Sequence, residues 1–134
     1  GVLVELVRSA DWASGVVFVN GHGGNAAAMT RAARTLSRER RDVLVWWPRL
    51  AGGDPHAGHT ETSLMLALAP ELVRLDDAVA GPEPSIPELT RQGVLRLSPS
   101  GVLGDPAGAN ADDGHRLLIE LTDQLVHAVE HWRR

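Results

Sequence analysis

Apolar and polar positions along this chain predict a β–α–β unit close to its first residue. Apolar residues fill most of Gly15–Asn20 and Asp42–Trp47, which is typical of short strands buried on both faces. Between them, apolar residues at helical spacing predict a helix from about Ala26 to Arg40. Strands joined by a helix form a parallel pair with a right-handed crossover. We therefore expect these two strands to be neighbours in one sheet.

Helices are also predicted near both ends of the sequence, over Gly1–Ala10 and Ala111–Trp132. Asn110, with Asp113 three residues later, predicts the N-cap of the second of these helices. The first has no capping residue before it, so we expect the chain to begin inside a larger domain.

The middle of the chain predicts one helix and much irregular structure. The helix begins near residue 59 and ends before Pro70. Four of its residues are expected to point inward: Leu64, Met65, Leu68 and Ala69. Prolines spaced through Glu71–Arg91 predict irregular backbone, Gly93–Leu97 predicts a short edge strand, and Ser98–Ala109 predicts a loop.

Composition and charge narrow the class of protein. The 134 residues are 43% hydrophobic and 22% charged, with a net charge of −4 and no cysteine. The acidic balance gives no footprint for nucleic acid, and the lack of cysteine excludes disulfides and thiolate metal sites. No apolar run has the length of a membrane span, and no signal peptide is visible. We expect a cytoplasmic protein without nucleic-acid or membrane partners.

Two histidine-rich loops carry the candidate chemistry. His22 lies in the glycine-rich loop after the first predicted strand, and His56 and Glu61 lie in the segment after the second. Parallel neighbouring strands end at the same edge of a sheet, where ligands bind in α/β folds, so we expect the two loops to converge. Imidazole nitrogens and carboxylate oxygens are suitable ligands for a divalent metal. His22 and Glu61 are the predicted ligands.

The other site residues are assigned around that metal. His56 is the candidate proton donor or carbonyl polariser, and a metal-bound water with a lowered pKa is the candidate nucleophile. Trp46 and Trp47 are candidate walls of the substrate pocket, together with Asn25 of the first loop as a candidate substrate contact. Successive strand residues point to opposite faces, so one of the two tryptophans is expected in the core.

Each candidate also has a simpler interpretation. A glycine-rich loop before a helix can bind phosphate, although this spacing matches neither nucleotide-binding fingerprint. His22 can be a structural turn residue, and Glu61 can serve only the helix dipole. We interpret His59 as a polar residue at a helix start and Asp54 as a turn former. Three histidines of the last helix are expected on the surface: His115, His127 and His131.

Three motifs together resemble the creatininase family of metal-dependent amidohydrolases. They are Asn20-Gly-His-Gly-Gly-Asn25, His56-Ala-Gly-His-Thr-Glu-Thr-Ser63 and Gly101-Val-Leu-Gly-Asp-Pro106. The sequence of Gly53–Ser63 is most similar to the branch of the family found in mycofactocin gene clusters. The resemblance extends over nearly the whole sequence.

The resemblance implies a three-layer α/β/α domain with a largely parallel sheet. It also implies a pair of divalent metal ions (zinc, manganese or iron), with His22 binding one ion and Glu61 the other. His56 matches the catalytic histidine of the family, which holds the substrate carbonyl and assists proton transfer. Members of the family assemble into symmetric homo-oligomers, so the same is expected here.

Two features depart from the family pattern. Creatininases proper carry glutamate two residues after the loop histidine, where this chain has Gly24, so creatinine is not the expected substrate and the general base is unassigned. The Glu-x-His motif and the following aspartate, which supply further metal ligands, do not occur in the sequence. We expect residues 1–134 to be the carboxyl-terminal portion of one creatininase-like domain, inactive alone because its ligands are too few.

By this resemblance, the expected activity is hydrolysis of a C–N amide bond. The branch implies a peptidase that cuts the modified mycofactocin precursor peptide and releases its carboxyl-terminal dipeptide. One alternative is a small-molecule cyclic amidase or deaminase. Another is a non-catalytic remnant subunit that binds a peptide or assembles into an oligomer.

Overall fold

A computed structural model describes residues 1–133 as a set of helices with one parallel pair of strands. The strands are β1 (Val16–Val19) and β2 (Val43–Trp46). The α-helices are α1 (Val2–Ser9), α2 (Ala26–Arg38), α3 (His59–Leu68), α4 (Ile86–Gln92), α5 (Val94–Leu97) and α6 (Ala111–Trp132). Single 3₁₀ turns cover Gly23–Asn25, Pro70–Leu72 and Leu75–Asp77. In the part of the chain described, no helix is both long and apolar enough to cross a membrane.

The chain forms two compact units, each with its own packing. The first holds residues 1–49 and the end of the chain from Asp123, and the second holds Leu50–Thr122. In the first unit β1 and β2 pair in parallel, with Val16 opposite Val43 and α2 as their connection. The predicted β–α–β unit is therefore confirmed.

The core of the first unit lies between two helices and one face of this sheet. Its buried members come from α1 and α2: Val4, Val7, Ala32 and Leu36. Partly buried residues packed against them are Leu3, Val16, Phe18 and Val43. Val16, Phe18 and Val43 share one face of the pleated pair, because side chains alternate along a strand. This packing holds β1 and β2 in place, so the loop that contains His22 starts from a fixed strand end.

A close contact in the second unit joins α3 to the start of α6. Ser63 is fully buried, and its Oγ accepts a hydrogen bond from the Asn110 backbone N–H at 3.2 Å. A Cβ built on Gly114 of α6 would lie 1.9 Å from the Ser63 carbonyl oxygen and 2.8 Å from the Cβ of Ala67. The two helices therefore approach as closely as they do because residue 114 has no side chain.

We expect Gly114→Ala to lower the free energy of unfolding by about 1–3 kcal/mol, the usual cost of forcing extra atoms into a filled space. A loss of stability would be diagnostic of the close contact, because in an open helix alanine is about 1 kcal/mol more favourable than glycine and the same substitution would stabilise the fold. Gly108→Ala is the control, since its added Cβ would meet only the His59 ring at an ordinary 3.7 Å. Urea unfolding of the variants measures the difference, and a Gly114→Ala midpoint at or above wild type would contradict this packing.

Two expectations for the middle of the chain are wrong. Gly93–Leu97 is not an edge strand, because Val94–Leu97 forms the short helix α5 after Gly93 turns the chain with a φ of 76°. Glu71–Arg91 contains α4 as well as irregular backbone. Ser85 and Glu88 form a reciprocal capping box at its start, and a proline in a first turn is tolerated because the missing N–H has no helical partner there.

The expected inward face of α3 is also wrong in part. Met65 and Leu68 are 40% and 64% exposed, whereas Ser63 is fully buried. The packed side of the helix is the side of Ser63 and Ala67, which are four residues apart and both lie against Gly114. A small polar residue was favoured there because the neighbouring helix leaves no room for a larger one.

Candidate active site

The loop that carries His22 is held by the buried side chain of Asn20. The Asn20 backbone N–H donates to the Trp46 carbonyl at 3.0 Å, which extends the strand pairing by one residue. Its Nδ2 donates to the His22 carbonyl at 2.9 Å, and its Oδ1 accepts from Asn25 Nδ2 at 3.0 Å. Only backbone atoms of His22 are used in this network, so its exposed imidazole is free of the loop's own hydrogen bonding. Sequence reasoning did not assign this role to Asn20. The available signal was a side-chain amide placed directly after an apolar strand.

The ends of the two strands lie side by side, with Val19 opposite Trp46. Trp46 and Trp47 are both half-buried, so the expectation that one of them is buried in the core is wrong. Asn25 is exposed, with its side-chain amide bonded to Asn20. Substrate contact by these three residues, and the convergence of His22 with the second loop, stay predictions.

The structure brings His56 and Glu61 together. Nδ1 of His56 lies 3.4 Å from Oε2 of Glu61, and the same oxygen accepts a hydrogen bond from the Ala57 backbone N–H at 2.6 Å. The backbone of His56 is fixed separately, because its N–H and carbonyl both pair with Leu103, at 3.3 and 2.8 Å. Histidine and glutamate thus lie on one loop–helix segment whose backbone is anchored outside that segment.

This pair has the arrangement of a histidine oriented for acid–base chemistry. A carboxylate beside Nδ1 favours a proton on that nitrogen, which leaves Nε2 to accept or donate the proton of a substrate. The His56 and Glu61 side chains are 40% and 46% exposed, so the pair is open to solvent and substrate. The Glu61 carboxylate also fills its simpler role at the first turn of α3, where acidic groups are favourable.

A cavity of about 410 Å³ borders this pair on the Glu61 side. Apolar and polar residues line it in equal number: Ala57, Met65, Leu72 and Val73, with Glu61, Thr62, Arg74 and Asp77. The exposed Met65 therefore forms part of a concave wall next to the Glu61 carboxylate. Apolar residues together with a few polar groups are the usual lining of a small-molecule or peptide side-chain pocket.

The described residues offer the right types of ligand atom for the predicted metal, but too few of them. His22 and Glu61 offer nitrogen and oxygen, which suit zinc, manganese and iron. Within residues 1–133, however, no three His, Asp or Glu side chains are grouped as a metal site would require. A stable centre needs at least three protein ligands. The described residues therefore do not form one by themselves.

His59 is more than a polar residue at a helix start. Its Nε2 lies 2.9 Å from Oδ2 of Asp113 on α6, and Asp113 is paired with Arg116 as well. Asn110 is the N-cap of α6, as predicted, since its Oδ1 accepts from the Asp113 N–H at 2.9 Å. The hydrogen bond from the Asn110 side chain, followed by that from His59, holds the pKa of Asp113 below its ordinary value of 3.8.

The three other histidines, His115, His127 and His131, are exposed as predicted.

The lowered pKa of Asp113 predicts acid sensitivity of this contact. The unfolded state binds the proton first, so the carboxylate stabilises the fold above its ordinary pKa, and this contribution is lost as pH falls through the lower native pKa. Asp113→Asn is expected to flatten the fall in unfolding free energy below about pH 4. Urea titrations across that range measure it, with the exposed Asp112→Asn as control. Identical pH profiles for the two variants would contradict this assignment.

Comparison with known proteins gives one consistent result. A family model described as creatininase, creatinine amidohydrolase, matches residues 2–129. Mycofactocin precursor peptide peptidases of Mycobacterium tuberculosis and Mycobacterium ulcerans are 49% and 46% identical over 98% of this chain. The match covers 54% of each of them, so the chain spans about half the length of these curated relatives. A mutant creatininase of the Zn–Zn type superposes with a TM-score of 0.76 at 24% identity, covering 98% of this chain and 62% of that one. This likeness confirms the predicted α/β fold class.

Proposed function

This chain belongs to the creatininase family, and from that membership we propose that it contributes to a metal-dependent hydrolase of C–N amide bonds. The observation that carries the proposal is the contact between His56 and Glu61, a histidine–carboxylate pair in the motif on which the family resemblance rests. A pair of this kind supplies the proton transfers that an amide nitrogen needs before it can leave.

We further propose that the substrate is a peptide, the mycofactocin precursor, cut to release its carboxyl-terminal dipeptide. Relatives at 46–49% identity carry the name of that peptidase, which supports the assignment. Gly24 supports it too, because creatininases proper carry glutamate at that position and a change there favours a different substrate. The cavity beside Glu61, lined by both apolar and polar residues, is a suitable place for a substrate side chain.

In this proposal each site residue has a separate task. His56 holds the carbonyl oxygen of the scissile amide while water adds to the carbonyl carbon, and a proton from that water passes through His56 to the leaving nitrogen as the C–N bond breaks. Glu61 orients the His56 ring through Oε2, which also accepts from Ala57 N–H. Trp46, Trp47 and Asn25 contact the substrate. A positioned acid or base of this kind contributes about 10²–10⁴ to the rate.

We propose two divalent ions, of zinc, manganese or iron, as cofactors, in a symmetric homo-oligomer. His22 is the proposed ligand of one ion and Glu61 of the other. The Zn–Zn creatininase among the solved structures supports divalent metals for the family. The described residues alone do not supply the further ligands that two ions need.

The test uses the protein as its gene encodes it, purified and loaded with metal. We expect the modified precursor peptide to lose its carboxyl-terminal dipeptide, detected by mass spectrometry, and creatinine to remain intact. Glu61→Gln is the matched variant, because the amide keeps an acceptor for Ala57 N–H while the charge is lost. The exposed His115→Ala is its control.

The outcomes separate the candidate functions. Cleavage by wild type and His115→Ala, but not by Glu61→Gln, supports the peptidase. Hydrolysis of creatinine or another cyclic amide without peptide cleavage would replace it with the small-molecule amidase. No hydrolysis of either substrate by the metal-loaded protein would replace it with a non-catalytic binding subunit.

A further inference from the structure

The side chain of Asp54 lies between the backbone of the first turn of α3, which follows it closely in the chain, and the backbone of the distant Gly104. Its carboxylate accepts the Thr60 backbone N–H, with distances of 3.1 Å to Oδ1 and 3.4 Å to Oδ2. That N–H belongs to the first turn of α3, where helical partners are missing. The N-cap position itself is Gly58, which has no side chain to do this. Asp54 therefore caps α3 from outside the helix.

The fit of this carboxylate depends on two glycines. A Cβ on Gly58 would lie 1.9 Å from Asp54 Oδ2, and a Cβ on Gly104 would lie 2.7 Å from the Cβ of Asp54. Gly104 also has a φ of 130°, which other residues rarely adopt, whereas the φ of Gly58 is an ordinary −92°. At residue 58, then, the nearest obstacle to a side chain is the Asp54 carboxylate, and the Gly104 Cα follows at 3.1 Å.

The space that holds the Asp54 side chain lies next to both His56 and Glu61. His56 is between Asp54 and Gly58 in the chain, and its backbone pairs with Leu103, the neighbour of Gly104. Glu61 directly follows Thr60, whose N–H the carboxylate holds. Ala57, which lies between His56 and Glu61 in the chain, has a φ of 53°. This left-handed conformation costs residues other than glycine about 1–3 kcal/mol and persists only when the surrounding structure imposes it.

We propose that Asp54 is a positioning residue, which fixes the spacing of His56 and Glu61 by joining their loop to the first turn of α3 and to the Leu103–Gly104 segment. The role in catalysis rests on the function proposed above, while the positioning itself is a property of the fold. Asp54 contacts neither imidazole nor substrate in this role, so it acts only through the pair. The interpretation of Asp54 as a simple turn former is too narrow.

Asp54→Ala in the protein as its gene encodes it is expected to lower kcat by about 10²-fold with KM little changed, because an ångström of misplacement costs about that much. Asp54→Asn keeps an oxygen acceptor of the same size and is expected to restore most of kcat. Asp105→Ala is the matched control, since Asp105 also accepts a backbone N–H, from Ala107 at 2.9 Å, on an exposed loop. Wild-type kcat in Asp54→Ala would overturn the proposal, as would an Asp54→Asn variant as impaired as Asp54→Ala.

The glycine at residue 58 gives a second, independent variant pair. Gly58→Ala is expected to lower kcat strongly, whereas Gly53→Ala, whose Cβ would meet its neighbours at 3.5 Å, is the control and is expected to be tolerated. In the Asp54→Ala background, Gly58→Ala is expected to cause a smaller loss than in wild type, because the colliding carboxylate is gone and only the close approach to the Gly104 Cα, at 3.1 Å, is left. Effects of the two substitutions that simply add would mean that they act separately, and would overturn the proposal.

The positioning is measured without catalysis by the side-chain ¹⁵N signals of the histidines. We expect the His56 signal to move in Asp54→Ala and to return in Asp54→Asn, while the signal of the exposed His115 stays fixed. An unmoved His56 signal would overturn the positioning itself. If the wild-type protein hydrolyses no amide but the His56 signal moves as expected, the proposed function fails and the positioning role of Asp54 is supported.

Discussion

Replacing His22 with alanine is expected to lower the bound metal content and abolish turnover in the metal-loaded protein as its gene encodes it. Residues that only orient metal ligands change metal affinity by about 10–100-fold, so the loss of a ligand itself is expected to exceed that range. The loop is expected to survive, because Asn20 bonds the backbone carbonyl of His22 and not its ring. Metal content by elemental analysis and peptide cleavage by mass spectrometry are the two measurements.

Two comparisons make this result specific to the His22 imidazole. Asn20→Ala removes both side-chain bonds of the loop and is expected to lower stability as well as metal content. His127→Ala changes an exposed histidine of α6 and is expected to behave as wild type. Unchanged metal content in His22→Ala would return His22 to the role of a structural turn residue.

Replacing His56 with alanine is expected to lower kcat by about 10²–10⁴ while leaving the metal bound, since its proposed task is proton transfer and not ligation. The backbone of residue 56 keeps both hydrogen bonds to Leu103, so the loop is expected to hold its shape. Single-turnover cleavage assays and elemental analysis of the same sample measure the two effects separately.

His59→Ala is the control from the same segment. The ring of His59 bonds Asp113 on α6, so its loss is expected to lower stability and to leave kcat near wild type. A fall in metal content with His56→Ala would make His56 a ligand instead. Equal losses of kcat in His56→Ala and His59→Ala would mean that both act through the fold, which contradicts a catalytic role for His56.

The local patterns predicted most of the regular structure. Apolar runs predicted β1 and β2 and helical spacing predicted α2, because these elements bury their side chains within the first unit. Short, polar-faced helices were harder, since α4 buries no residue fully and carries little periodic signal. Its capping box at Ser85 and Glu88 was nonetheless a local signal that could have been used.

The candidate site was predicted in part. Residue type and order indicated His56 and Glu61, and their contact is now observed at 3.4 Å. The role of Asp54 depends on Gly104, fifty residues away, and the partner of His59 is Asp113 on another helix. The sequence indicated which side chains could carry out chemistry. It did not indicate these pairings, because local sequence does not show which distant segments pack against each other.

The sequence by itself determined the strand–helix–strand order, the capped final helix, and two loops bearing imidazole and carboxylate groups. These follow from short-range physics: the period of buried positions, the backbone preferences of glycine and proline, and the chemistry of single side chains. Tertiary structure alone decided that Ser63 faces Gly114, that Asp54 is enclosed by Gly58 and Gly104, and that Glu61 is shared between His56 and Ala57. The contacts of Ser63 with Gly114 and of Asp54 with Gly104 depend on exclusion of volume between segments about fifty residues apart, and that exclusion exists only once the segments are packed.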